Sequence, residues 1–126
     1  MHFTHELITS LKKQKRRFFD TTLHIGYGTF KPVETADIRD HQIHQEYYEI
    51  TLSNWESIKR AKLDGKHICV VGTTACRLVE TVAINNKFEG ETNLFVYPGF
   101  CFKMTDHLIT NFHLPYSSLL MLVCAF

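Results

Sequence analysis

Two histidines and two carboxylates lie close together near the middle of the chain. Asp40 and His41 are followed by His44 and then by Glu46. Histidine exchanges protons near neutral pH, and a neighbouring carboxylate can tune it, so this grouping suits general acid–base catalysis. The alternative is a metal site, but zinc-binding helices carry two histidines four residues apart with a glutamate between them. This H-x-x-H segment precedes a β-rich stretch, so the sequence favours acid–base chemistry over a metal.

A second polar group lies near the C-terminal end, in the stretch TNFHLP at residues 110–115. Asn111 and His113 flank Phe112 there. An amide, an imidazole and an aromatic ring suit recognition of a nucleobase by its edge and face. The same residues also suit an ordinary turn whose polar groups are satisfied internally, and the sequence leaves both interpretations open.

The stretch GTTACR places Gly72, Thr73 and Thr74 at a predicted junction from strand to helix. Backbone N–H groups at a helix start, together with two hydroxyls, could hold a carboxylate, a ribose hydroxyl or a phosphate. Arg77, one helical turn on, could clamp an anion on the same face. In the simpler alternative, Thr73 only caps the helix and Arg77 pairs with Glu80 at the surface.

Two glycines, Gly26 and Gly28, follow an apolar run and precede Thr29 in HIGYGTFKPV. Such glycines let a ligand approach the main chain closely, but they also occur in plain turns. The third glycine of a dinucleotide-binding fingerprint is missing, so a Rossmann site is weakly indicated. A further loop follows another predicted strand and contributes Tyr97, Pro98 and Gly99.

These loops need elements to position them, and helices and strands alternate along the chain. The pattern predicts an α/β domain at residues 1–126, with a mixed, partly parallel sheet and flanking helices. The loops after the strands would then meet at one rim, where α/β proteins bind ligands. Strands are predicted at 21–26, 47–52, 67–72 (fully buried), 93–97 and 107–112. Helices are predicted at 4–17, at 53–64 behind a Ser53–Glu56 capping box, at 74–84 and within 114–126.

Composition narrows the class of protein. A chain of 126 residues with 44% hydrophobic residues and a net charge of +1 is one globular domain without an overall polyanion-binding charge. The N-terminus carries no signal-peptide pattern, and the apolar run at 119–126 is too short to cross a bilayer, so we expect a cytoplasmic protein with no membrane contact. The four cysteines form no C-x-x-C pair and are expected to be buried thiols.

Five blocks in this order resemble the S-adenosylmethionine:tRNA ribosyltransferase-isomerase family of the queuosine pathway, over essentially the whole chain. They are LHIGYGTFKPV, DHQIHQEYYEI, VVGTTACRLVE, LFVYPGFCF and LITNFHLPYSSLLMLV. HFT at residues 2–4 fits the same family. The resemblance implies a core fragment of a larger α/β catalytic domain that, in the family, carries an inserted small β-barrel.

The resemblance also implies a reaction. The family moves and isomerises the ribosyl group of S-adenosylmethionine onto the aminomethyl group of a 7-deazaguanine at the tRNA anticodon wobble position, giving epoxyqueuosine-tRNA, adenine and methionine. No metal is implied. We interpret His41, His44, Glu46 and His113 as the acid–base groups. Substrate contacts are expected from Gly26, Gly28, Thr29, Thr73, Thr74, Arg77, Tyr97, Pro98, Gly99, Thr110 and Asn111.

Two other interpretations stay open. A generic nucleotide-binding α/β transferase, such as a methyltransferase, would need a clear glycine-rich loop with an acidic residue ending the next strand. A non-catalytic RNA-binding fragment would use the basic run from Lys12 to Arg17, although the net charge is nearly zero. Because the family's chains are longer, we also expect these residues alone to be inactive and poorly soluble.

Overall fold

The computed structural model describes residues 3–26 and 32–126 as a mixed α/β chain. Within those ranges it has four α-helices, a short 3₁₀ helix at Ile38–Asp40 and five strands. The helices are α1 (His5–Lys13), α2 (Leu52–Leu63), α3 (Thr73–Asn85) and α4 (Ser118–Ala125). The strands are β1 (Thr22–Leu23), β2 (Glu46–Glu49), β3 (Cys69–Val71), β4 (Glu89–Thr92) and β5 (His107–Ile109).

Three strands form an antiparallel sheet in the order β1-β2-β4. Glu46 pairs with Thr92 and Glu49 pairs with Thr22, so β2 begins at the end of the sheet where β1 and β4 finish. We call this end the Glu46 end. Along β2 the side chains alternate, with Glu46 and Tyr48 buried and the residues after each of them exposed, as expected when one face of a strand covers a core.

The other two strands, β3 and β5, form a separate parallel pair with Val70 opposite Leu108. The N–H of Gly72 donates to the carbonyl of Ile109 at 2.8 Å just beyond that pairing. Parallel strands finish at the same end, so the start of α3 and the loop after β5 lie side by side. Parallel and antiparallel pairs are both present, as predicted, but in two sheets rather than one.

Helix α3 lies between these sheets and carries a buried face from Thr73 to Val82. Leu78 and Val82 pack with Tyr48 and Trp55 in one core cluster, whereas Cys76 belongs to a second cluster with Val70, Val96 and Leu122. The hydroxyls of Thr81 and Thr92 are 2.8 Å apart, which links the helix to β4. The helix therefore joins the cores beneath both sheets.

Glu80 on α3 is fully buried and organises a loop rather than a surface ion pair. Its carboxylate accepts the backbone N–H groups of Lys103, Met104 and Thr105 at 2.7, 3.0 and 2.9 Å, and also the Thr105 hydroxyl at 2.8 Å. The alternative in which Glu80 pairs with Arg77 at the surface is wrong, because three backbone donors in the core take that carboxylate instead.

Two local predictions are wrong, one about the position of a strand and one about a helix cap. Residues 94–97 are apolar or aromatic, but the strand lies at β4, before them, because the register of β2 places Glu46–Glu49 opposite Glu89–Thr92. Ser53 and Glu56 do not form the capping box: Thr51 is the N-cap of α2, and its hydroxyl accepts the N–H of Asn54 at 3.2 Å.

The ends of α1 and the environments of the cysteines also differ from expectation. Helix α1 stops at Lys13, within the basic run, and buries no residue. Cys76 is buried, but Cys69, Cys101 and Cys124 are free and exposed. Strand β3 is accordingly buried only at its central residue. Among the described helices, none has the length and apolar character needed to cross a membrane.

Candidate functional site

Three segments that contain predicted site residues meet at the Glu46 end of the antiparallel sheet. Gly26 follows β1, His41 and His44 lead into β2, and residues 93–97 follow β4. These segments are far apart in the sequence and are brought to one place by the strand pairing. His41 is partly buried and His44 is exposed, so both imidazoles can meet solvent.

A buried ion pair joins these segments to α3. Arg77 and Glu46 are each 2% exposed, and Nη1 of Arg77 donates to Oε2 of Glu46. Oε1 of Glu46 accepts the N–H of Gly26 at 3.3 Å, and Nε of Arg77 donates to the carbonyl of Leu94 at 3.0 Å. The partner of Arg77 is thus Glu46, and the acid–base candidate Glu46 is a buried carboxylate that holds the main chain.

Aromatic rings lie beside this pair. The His41 and Phe95 rings are 5.1 Å apart, centroid to centroid, in an edge contact, and Phe95 is 5.3 Å from Tyr97. All three side chains are partly exposed. Pro98 and Gly99 follow at the surface, with Gly99 at φ 101°, a backbone conformation that favours glycine. No sequence pattern selects Phe95, because a strand predicted at 93–97 makes it an ordinary core residue.

The second group of candidates lies where β3 and β5 finish. Gly72 is the N-cap of α3, with φ 92° and no side-chain cap, so the expectation that Thr73 caps the helix is wrong. Thr73 is buried and Thr74 is half-buried. In the neighbouring loop, the Thr110 hydroxyl and Nε2 of His113 are 3.0 Å apart. The loop therefore holds His113 by a side-chain contact.

Asn111 and Phe112 are among the exposed residues of this second loop, and the Phe112 side chain is fully exposed. Gly28 and Thr29 lie outside the described residues. The residues on either side of that stretch are held: Gly26 by Glu46, and Val33 by an N–H bond of 2.7 Å to the carbonyl of Tyr116. We call the stretch from Gly26 to Thr29 the glycine segment.

The remaining features lie elsewhere. No group of three or more metal-ligating side chains occurs within residues 3–26 and 32–126. A groove of about 640 Å³ lies at the opposite end of the antiparallel sheet, and none of the predicted site residues lines it. Its walls include Asp20, Thr22, Glu49, Asn54 and Glu89.

The geometry defines a mixed α/β chain whose strand-end loops collect around one central helix, an arrangement in which such folds bind ligands. Comparison with known proteins then places the chain. The model of the queuosine biosynthesis protein family matches residues 1–126. The chain therefore belongs to the queuosine biosynthesis protein family.

Relatives of known name are similar over the whole chain. It is 52% identical over 130 residues to the S-adenosylmethionine:tRNA ribosyltransferase-isomerase of Nitratidesulfovibrio vulgaris and 50% identical over 129 residues to that of Carboxydothermus hydrogenoformans. These alignments cover all of this chain but 35% and 38% of those two proteins. The chain thus spans little more than a third of their length.

A solved structure agrees with the fold. The crystal structure of S-adenosylmethionine tRNA ribosyltransferase from Thermotoga maritima superimposes with a TM-score of 0.78 at 38% identity. The match covers 98% of this chain and 39% of that one. The mixed α/β arrangement described above is therefore that of a part of a longer protein in this family.

Proposed function

We propose that this chain supplies part of the active site of a tRNA ribosyltransferase-isomerase. The reaction moves and isomerises the ribosyl group of S-adenosylmethionine onto the aminomethyl-deazaguanine of the tRNA wobble position, giving epoxyqueuosine-tRNA, adenine and methionine. The observation that carries the proposal is the alignment of the whole chain, at 50 and 52% identity, with enzymes named for this activity. S-adenosylmethionine is then a consumed substrate, tRNA the second substrate, the cytoplasm the compartment, and no metal takes part.

Proton transfer is assigned to imidazoles that meet solvent. A base must remove a proton beside the sulfonium, and adenine leaves more readily when an acid protonates it. We assign this work to His41 and His44 at the Glu46 end and to His113 beside Thr110; their exposure to solvent supports the assignment. Glu46 and Arg77 are buried against each other, which supports a role through the loops they hold.

Substrate contacts are assigned to the loops around α3. The backbone at the glycine segment would let the nucleoside approach closely, and the start of α3 would bind an anionic or hydroxyl group. An aromatic and amide-bearing loop would recognise the base. The residues are Gly26, Gly28, Thr29, Thr73, Thr74, Tyr97, Pro98, Gly99, Thr110 and Asn111.

A chimaera tests the proposal. The segment of the Carboxydothermus hydrogenoformans enzyme that aligns with this chain is replaced by this chain, and the protein is incubated with S-adenosylmethionine and tRNA bearing the aminomethyl-deazaguanine. We expect free adenine and modified tRNA in equal amounts. The 126-residue chain alone should give little or none, because two large substrates must be oriented together and small misplacements cost about a hundredfold.

Histidine variants of the chimaera provide the control. His41→Ala and His113→Ala should lower kcat by roughly 10²- to 10⁴-fold, as expected for lost acid–base catalysis. His67→Ala removes an imidazole that packs against His107, away from the candidate site, and should change kcat by less than about twofold. S-adenosylhomocysteine in place of adenine would indicate a methyltransferase, and tRNA binding without either product would indicate an RNA-binding fragment. Both results would refute the proposal.

A further inference from the structure

The buried Glu46–Arg77 pair holds main-chain groups of two loops at once. Glu46 accepts the N–H of Gly26, where the glycine segment begins, and Arg77 donates to the carbonyl of Leu94, directly before the Phe95 ring. Both residues are 2% exposed. The two loops have no sequence proximity, yet one ion pair fixes a backbone atom in each.

Stabilisation of the core does not by itself explain why a charged pair, Glu46 and Arg77, is buried here. Well-packed apolar side chains of similar volume often stabilise a core as well as a buried ion pair does, because both charges lose their hydration. The charged groups add hydrogen bonds of defined direction. A carboxylate with two oxygens can accept from the guanidinium and from a backbone N–H together, and the planar guanidinium can donate from Nε at the same time.

We propose that Glu46 and Arg77 are positioning residues that set Gly26 relative to the Phe95 and Tyr97 rings. Neither contacts substrate in this assignment. Helix α3 carries Arg77 one turn beyond Gly72, so the pair also fixes both loops relative to the start of that helix. The inference rests on the proposed function only for what the loops bind. The placement of Gly26 and Leu94 follows from the hydrogen bonds of the chain itself.

Amide exchange and ring contacts observed by NMR test the assignment in the 126-residue chain. In Arg77→Met, exchange at the Gly26 amide should rise at least about tenfold although Arg77 does not touch Gly26, because the guanidinium no longer holds the Glu46 carboxylate in place. Cross-peaks between the His41 and Phe95 rings should weaken. In the double variant described below, which leaves no unpaired buried charge, amides of Tyr48 and Val82 in the core should exchange at nearly their original rates.

Further variants separate the two tethers and guard against unfolding. Arg77→Lys keeps a charge for Glu46 but loses the guanidinium fork, so Gly26 should stay protected while the His41–Phe95 contact is lost. The double variant Glu46→Met/Arg77→Met leaves no unpaired charge and should fold, yet it should release both loops. A parallel control, Lys62→Met, breaks the Lys62–Asp106 pair elsewhere and should leave Gly26 unchanged.

Three results would overturn the assignment. The first is a folded double variant in which Gly26 exchange and the His41–Phe95 contact are unchanged. The second is a double variant that does not fold, since the pair would then act as a core stabiliser. The third is loosening of Gly26 by Lys62→Met, which would indicate a general effect. Failure of the chimaera to release adenine would instead refute the proposed reaction and leave this placement standing.

Discussion

Buried carboxylates organise backbone at two places in this chain. Glu46 holds Gly26 and pairs with Arg77, whereas Glu80 is satisfied by three backbone N–H groups and one hydroxyl. A buried charge is tolerated only where donors replace its lost water. The two residues, Glu46 on β2 and Glu80 on α3, therefore show two ways of compensating the same cost.

Replacing Glu80 with glutamine should destabilise the protein by about 1–3 kcal/mol, the cost of leaving one buried donor unsatisfied. The glutamine oxygen can replace Oε1, but its NH₂ group would then face the N–H of Lys103, which now donates to Oε2. Chemical denaturation measures the change. Glu56→Gln on the exposed face of α2 is the matched control and should stay within about 0.5 kcal/mol of the parent.

Cys76 should resist alkylation in the folded protein. Burial raises the pKa of its thiol to about 11. The Thr105 hydroxyl lowers this pKa and the Glu80 charge raises it, each by less than burial does. At pH 8 the thiolate is then on the order of one part in a thousand, so the Cys76 reaction should be at least about a hundredfold slower than that of exposed Cys101. Peptide mass mapping after iodoacetamide treatment measures both rates. Equal labelling of the two would contradict this, and all four cysteines should react in guanidinium.

At the scale of elements, the helices and most strands could be predicted from local patterns. Helix α3 and strands β2 and β3 follow from periodicity and flanking glycines, and they lie close to their predicted positions. The strand predicted at 93–97 lies instead at β4. Local patterns could not give this position, because the pairing of β4 with β2 depends on register rather than on apolar content. The Glu46–Arg77 pair could not be predicted from the sequence either, because it depends on which strands are neighbours in the sheet.

Asp106 should make the connection between α2 and β3 sensitive to acid. Burial raises the pKa of its carboxyl, but the N–H of Ile68 and the Lys62 ammonium lower it more, so the folded-state pKa lies below the ordinary value. Its contribution to stability is therefore present above about pH 4, the unfolded value, and is lost as the pH falls through the folded pKa.

The Asp106→Asn variant tests this contribution. Thermal unfolding between pH 2 and 7 should show a loss of stability near neutral pH and a shallower decline in acid, with the curves of variant and parent converging at the lowest pH. Glu91→Gln, on an exposed position of β4, should follow the parent curve. If Asp106→Asn reproduced the full acid decline of the parent, Asp106 would not contribute to it.

At the scale of the whole molecule, the surface near α4 is unusually apolar. Phe112, Leu114 and Tyr116 are 106%, 79% and 74% exposed, and they lie within five consecutive residues ahead of α4. Grouped apolar side chains of this kind usually contact a partner surface, whereas singly exposed ones do not require explanation. The 126-residue chain, which spans little more than a third of its relatives, offers this surface to other copies of itself.

We therefore expect the purified chain to self-associate as its concentration rises, driven by burial of these side chains at about 25 cal/mol per Å² of apolar surface. Light scattering behind size-exclusion chromatography measures the mass across a dilution series. Phe112→Ser combined with Leu114→Ser should shift the midpoint to higher concentration. Leu63→Ser removes a side chain that is 73% exposed at the end of α2 and should leave the midpoint unchanged. A parent chain that remains monomeric at every concentration would show that the loop surface is inert, and equal effects of the loop and Leu63 variants would show that association does not depend on where the apolar side chains lie.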